Sequence, residues 1–241
     1  MGAVYRLKNV VKSRVQDGAG FRLIIPSIEI DEGECVALVG ASGCGKSTLL
    51  DMLAMVLSPD FAMTFELFPR DGEHTDVAAA WRKHNQNRLS EIRKRHVGYV
   101  LQTGGLLPYL SVRENILLSR RLLHMNHDDT VDTLVSALGL ARLMDKLPGL
   151  LSAGERQRVA FARALAHHPS IVIADEPTAS LDPITARKIT AAVMELVKEL
   201  GITLITASHD WAHIYNLNFR SLHQESREKE DGRLVESIFR D

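Results

Sequence analysis

Gly40, Ala41, Ser42, Gly43, Cys44, Gly45, Lys46 and Ser47 have the spacing GxxxxGK[ST], and Thr48 follows them. The apolar run Cys35–Val39 comes just before, and Leu49, Leu50, Leu53, Ala54 and Leu57 recur afterwards at helical spacing. A glycine-rich loop between a buried strand and a helix is a phosphate cradle. The glycines let backbone N–H groups approach an anion without Cβ obstruction, and the helix N-terminus adds partial positive charge. Lys46 is expected to reach the β- and γ-phosphates of a nucleotide and Ser47 to ligate Mg²⁺. Cys44 reads as a small residue fitting the loop; the alternative is a redox-sensitive thiol, since helix N-termini and lysines lower thiol pKa values.

A second chemical centre follows the apolar run Ile171–Ala174, where Asp175 and Glu176 end a predicted strand. Ligand sites of open parallel sheets lie at such strand ends. Asp175 is expected to hold Mg²⁺ through water together with Ser47, and Glu176 to orient and polarise an attacking water as general base.

The elements that must position these groups follow from periodicity. Val4–Val10 and Phe21–Ile30 alternate like strands around a turn-like Gln16–Gly20, which predicts an antiparallel layer at the start. Phe61, Met63, Phe65 and Leu67 alternate like a strand, and Asp76–Arg95 reads as one strongly basic helix. His96–Leu101 predicts a strand, and Arg113–His124, Asp129–Leu138 and Ala153–His167 predict helices. Asp182 is expected to cap a helix with Pro183 at its first position, before a strand at Ile202–Ala207. Asp231 and Gly232 suggest a terminal hairpin between Leu222 and Ile238, with Glu225–Glu230 as a solvated, charged extension. Strands alternating with helices imply an α/β fold with a mainly parallel sheet and helical crossovers; taken with the phosphate loop, the expectation is a P-loop NTPase core with an N-terminal antiparallel β layer and an inserted helical subdomain.

The 241 residues contain no repeat or linker that would divide them, and the formal net charge of -1 provides no overall basic field for nucleic acid. The two cysteines, Cys35 and Cys44, suit a reducing cytoplasm better than a disulfide framework. No apolar stretch reaches the roughly 18 residues of a spanning helix, so a membrane role requires another chain to supply the span. His124 with His127, and His167 with His168, have no carboxylate or cysteine companions at useful spacing and read as surface or cap residues.

Leu151, Ser152, Ala153, Gly154 and Glu155, lying between the phosphate loop and the acidic pair, complete an order of motifs that resembles the nucleotide-binding subunit of an ATP-binding cassette (ABC) transporter. The resemblance covers roughly Val4–His209. It implies one ATPase domain over 1–241, with a RecA-like core at 1–101 and 151–241 and a helical subdomain at about 102–150. It also implies ATP and Mg²⁺ as cofactors and a dimer, with itself or a homologous subunit, closed around two Mg·ATP. Ser152 and Gly154 would contact a γ-phosphate across that dimer. Gln102 would sense Mg²⁺ and water, Asp182 would lie on the loop crossing to the other subunit, and His209 would hydrogen-bond the γ-phosphate. The usual segment has two glycines and a glutamine where this chain has Ala153, Gly154 and Glu155.

Leu89–Gln102 and Leu106–Ile116 are most similar to ATPases of the lipoprotein-release, macrolide-efflux and cell-division type, which implies an integral, permease-like membrane partner. The chain would then lie peripherally on the cytoplasmic face of the membrane. The family's adenine-stacking aromatic has no counterpart among Lys12–Val15, which leaves Arg14 or Phe21 to stack on the base, with Tyr5 the other nearby aromatic. Two other readings stand beside the transporter subunit: an ATP-switched regulator of a membrane protein, and an ABC ATPase acting on nucleic acid, to which only the basic run Arg82–Arg95 points.

Overall fold

Alternation at the start of the chain produces a long antiparallel hairpin, β1 (Ala3–Gln16) with β2 (Ala19–Asp31), whose inward residues include Leu7, Val10, Leu23 and Ile25. The computed structural model describes residues 2–16, 19–70, 73–126, 128–208, 219–229 and 234–241. β1 continues well past Val10, because Val11–Gln16 keeps pairing with β2. After the turn at Glu32 and Gly33, β3 (Cys35–Val39) enters the interior and leads into α1 (Lys46–Leu53), whose Leu49, Leu50 and Leu53 are buried.

The stretch after α1 differs most from its sequence reading. β4 (Phe61–Leu67) pairs with β1, and a two-residue strand, β5 (Thr75–Asp76), pairs with β4. The expected single helix is two, α2 (Val77–Arg82) and α3 (Gln86–His96). The break is local chemistry: His84 has a left-handed backbone, and the Asn85 side chain accepts from the Arg88 N–H as a new N-cap. Much of the basic character of this run is used internally. Arg88 pairs with Glu73, Lys94 and Arg95 reach Glu91, and Arg93 donates to the Met55 carbonyl.

β6 (Val97–Val100) then leads to α4 (Val112–Leu122), α5 (Thr130–Ala137) and α6 (Ala153–Leu165). β7 (Ile171–Asp175), α7 (Pro183–Glu199) and β8 (Thr203–Ser208) follow, and the chain ends in β9 (Arg220–Lys229) and β10 (Leu234–Arg240). The charged tail is strand up to Lys229, because its backbone pairs with β10, while the side chains of residues 225–228 are exposed to solvent. The proposed turn at Asp231 and Gly232 lies outside the described residues.

Among the described residues one ten-stranded sheet results, in the order β5-β4-β1-β2-β10-β9-β3-β8-β7-β6. β9, β3, β8, β7 and β6 run parallel to one another, whereas β1, β2, β4 and β5 are antiparallel. The N-terminal layer is thus hydrogen-bonded into the parallel sheet through β10, which runs parallel to β2 and antiparallel to β9. The two-residue period of β7 divides the core: Ile171 and Ile173 join α1 and the antiparallel strands, while Val172 and Ala174 join α4, α6 and α7. Among the described residues no helix is long and apolar enough to cross a membrane.

His167 departs from the surface reading. It follows the end of α6, is only 5% exposed, and burial beside His168, His96 and Arg120 pushes its pKa down to about 4. Its neighbour His168 is exposed and bonds Thr130 through its ring, and His124 is exposed. His127 lies outside the described residues.

Candidate active site

The end of β3 and the start of α1 are joined by a loop that only glycine can make without strain, since Gly43 and Gly45 have φ of +77° and +98°. Gly45 is also covered: a Cβ there would stand 3.1 Å from Phe21 Cε1 and closer still to Cζ. Lys46 is 4% exposed and donates to the Gly40 and Ala41 carbonyls at 2.9 and 3.0 Å, with Glu176 Oε1 3.6 Å from its ammonium. A single cation therefore links the start of the loop to the acidic strand end. Glu176 sits in the left-handed region at φ +44°, a conformation costing a non-glycine residue ~1–2 kcal/mol.

Asp175, at the end of β7, bonds the Ser47 side chain, and its Oδ1 is buried with no hydrogen-bond partner. Burial raises its pKa, the Ser47 bond opposes that, and the Glu176 and Asp51 charges add to the rise. A hard cation suits this arrangement: one hydroxyl and one carboxylate oxygen lacking a donor are oxygen ligands of the kind Mg²⁺ takes. Asp51 in turn accepts from the Tyr99 hydroxyl at 2.7 Å, a supporting contact that no motif announces. Burial raises the Cys44 thiol pKa, with Lys46 opposing, and the side chain is 8% exposed, so Cys44 is a small buried member of the loop.

Ser42, Gly43, Gly45, Lys46, Ser47, Thr48, Gln102, Asp175 and Glu176 line one cleft of about 420 Å³, together with Arg14 and Phe21. Arg14 and Phe21 are direct cross-strand partners in the β1–β2 hairpin, so pairing register brings both candidate base-stacking groups to the same wall. Tyr5 is excluded from that role, being fully buried with its hydroxyl donating to the Leu53 carbonyl at 2.6 Å. A slightly larger cavity of about 460 Å³, by Phe61 and Trp81, contains none of the residues expected to do chemistry.

Ser152, Gly154 and Asp182 do not line the cleft. Ser152 caps α6 in a reciprocal box: its hydroxyl accepts from the Glu155 N–H, and the Glu155 carboxylate accepts from the Ser152 N–H at 2.7 Å. A carboxylate in place of an amide is therefore a helix cap, favoured by the positive end of the helix. Gly154 is buried against α7, where a Cβ would stand 3.0 Å from Thr185 Cγ2, so an added methyl would need the Thr185 side chain to give way. Asp182 caps α7 through the Ile184 and Thr185 N–H groups, as the sequence implied. His209 lies outside the described residues.

Two further side chains tie α6 to the cleft. Gln157 Nε2 donates to the Gln102 carbonyl at 2.5 Å, and Arg163 donates to the carbonyls of Gly104 and Gly105. Periodicity marked both only as helix residues.

The sequence profile described as ABC transporter matches residues 25–179. The chain belongs to the ABC transporter family. This ABC ATPase binds and hydrolyses ATP. It is 34% identical over 212 residues to the lipoprotein-releasing system ATP-binding protein LolD 1 of Rhodospirillum rubrum, covering 86% of this chain and 89% of that one. It is 36% identical over 193 residues to the macrolide export ATP-binding/permease protein MacB of Rhodopirellula baltica, covering 76% of this chain and 26% of that one. Among solved structures it resembles the dimeric post-hydrolysis state of the ATP-binding cassette MJ0796 bound to ADP and Pi. That match has a TM-score of 0.75 and 28% identity, over 96% of each chain.

Proposed function

We propose that this ABC ATPase works as one half of a cassette pair that closes on two Mg·ATP and drives a separate integral membrane partner from the cytoplasmic face of the membrane. One observation carries the reading. The cleft gathers the phosphate loop, Gln102, Asp175 and Glu176 on one copy, while Ser152, Gly154 and Asp182 lie elsewhere on its surface and in its packing. A second copy would bring the α6 N-terminus, an anion-favouring helix end, to the open side of the cleft. The dimeric MJ0796 cassette supports this, and the LolD and MacB relatives support a partner in lipoprotein release or a related export event. The helical block around residues 102–150 would form the partner-facing part, with Gln102 and Gly104–Leu110 as the transmitting segment.

In this mechanism Lys46 binds the β- and γ-phosphates and the loop N–H groups hold their oxygens. Ser47 and Asp175, with Gln102, would hold Mg²⁺, which supplies charge neutralisation at the phosphates when bound. Glu176 orients the attacking water and takes its proton, with its carboxylate 3.6 Å from the Lys46 ammonium. Arg14 or Phe21 stacks on the adenine, and the partner copy's Ser152 completes the phosphate contacts. His209 would add a γ-phosphate hydrogen bond.

Affinity purification of the tagged chain from membranes, with and without ATP, tests the proposal. The expected result is recovery of one integral membrane protein together with the chain. Recovery of the chain from the soluble fraction alone, with nucleic acid bound at physiological salt, would refute it.

A further inference from the structure

Ser237 touches the phosphate loop from 193 positions after Cys44 in the sequence. It lies on β10, is fully buried, and its hydroxyl donates to the Cys44 carbonyl at 2.6 Å. In a trans peptide the carbonyl and the following N–H point to opposite sides. With the Cys44 carbonyl turned toward Ser237 of β10, the Gly45 N–H is turned away from β10, and Gly45 itself lines the cleft. The peptide needs such a tether, because Gly43 and Gly45 on either side of Cys44 have the widest backbone freedom of any residue.

The brace is itself held rigidly. Ser237 sits between Leu23 of β2 and Ser226 of β9, and the neighbouring Glu236 is 5% exposed with Arg22 Nη1 3.5 Å away. β9 meets the other end of the loop, where a Cβ on Gly40 would stand 2.9 Å from Gln224 Cβ. The terminal hairpin thus contacts the loop at both Gly40 and Cys44, and joins it to the β-ribbon that carries Arg14 and Phe21.

We propose that Ser237 is a positioning residue for ATP hydrolysis, its hydroxyl fixing the Cys44–Gly45 peptide so that the Gly45 N–H is presented to the nucleotide phosphates. The inference rests on reading Gly40–Thr48 as the phosphate loop. A donor oriented before binding needs no reorganisation when the anion arrives.

The test measures ADP affinity by calorimetry, KM and kcat for ATP, and thermal midpoints for Ser237→Ala, Ser237→Thr and Ser237→Cys, with Lys46→Ala as reference. Ser237→Ala should weaken ADP binding and raise KM about fivefold, with a smaller change in kcat, and Ser237→Thr, which keeps the hydroxyl, should restore both. Wild-type affinity and KM in Ser237→Ala, whatever its thermal midpoint, would overturn the proposal. If Ser237→Ala does not fold, the near-isosteric Ser237→Cys carries the same expectation, because a thiol is a weak donor. Loss of ADP binding in Lys46→Ala with none in Ser237→Ala or Ser237→Cys defeats the positioning role alone. Unchanged binding in Lys46→Ala defeats the loop assignment and the inference with it.

Discussion

Glu176→Gln separates chemistry from binding at this cleft. Glutamine keeps the length of the side chain and the left-handed backbone of the site, where φ is +44°, but cannot take a proton. Lys46 loses its ionic neighbour at 3.6 Å yet keeps its bonds to the Gly40 and Ala41 carbonyls, so the loop should retain its shape. A positioned general base contributes roughly 10²–10⁴ in rate, equivalent to about 3–5 kcal/mol of barrier. Turnover should fall by that factor. ATP affinity should hold or improve, because one negative charge has left the cleft proposed to receive polyphosphate. Phosphate release measured under saturating Mg·ATP reads the first quantity, and calorimetry reads the second. Gel filtration with ATP and Mg²⁺ should show the variant at twice its monomer mass. Turnover within threefold of wild type, at unchanged affinity, would remove Glu176 from the role of base.

Removing Phe21 or Arg14 tests the base wall: Phe21→Ala or Arg14→Ala should reduce the preference for ATP over a pyrimidine triphosphate, measured as a ratio of KM values, and an unchanged ratio in both would show that neither side chain stacks. Gly98→Ala should destabilise the fold by about 1–3 kcal/mol, because a Cβ in β6 would overlap the Ala164 carbonyl of α6, a backbone atom that cannot rotate away; urea denaturation measures it, and a neutral result would mean that α6 is not seated where described. His167 titrates near 4 when folded and near 6.5 when unfolded, so the unfolded chain binds more protons between those values. Stability present above pH 6.5 should therefore fall by up to about 3 kcal/mol as pH drops toward 4, and His167→Met should flatten that part of the profile in urea titrations; equal slopes in the two proteins would contradict it.

The cleft was legible because its parts are local. Gly40–Thr48, Asp175, Glu176 and Gln102 each lie at a strand end, and strand ends on one edge of a parallel sheet converge whatever the intervening helices do. The helix starts at Ser152 and Asp182 were equally readable, since a cap is made within three residues of itself. The break between α2 and α3 was not, because its signal was confined to His84 and Asn85 between two stretches that each favour helix.

By itself the sequence determined the chemistry, through residue types held at short spacing by one loop or one helical turn. Tertiary structure alone decided what surrounds that chemistry. Pairing register set Arg14 beside Phe21, and α7 packing made Gly154 a contact point. Burial turned His167 from a surface residue into an acid-sensitive one, and strand order placed the terminal hairpin between the antiparallel ribbon and β3. Those relations join residues as far apart in sequence as Gly20 and Leu234, and they depend on how buried faces fill space, which residue spacing does not encode.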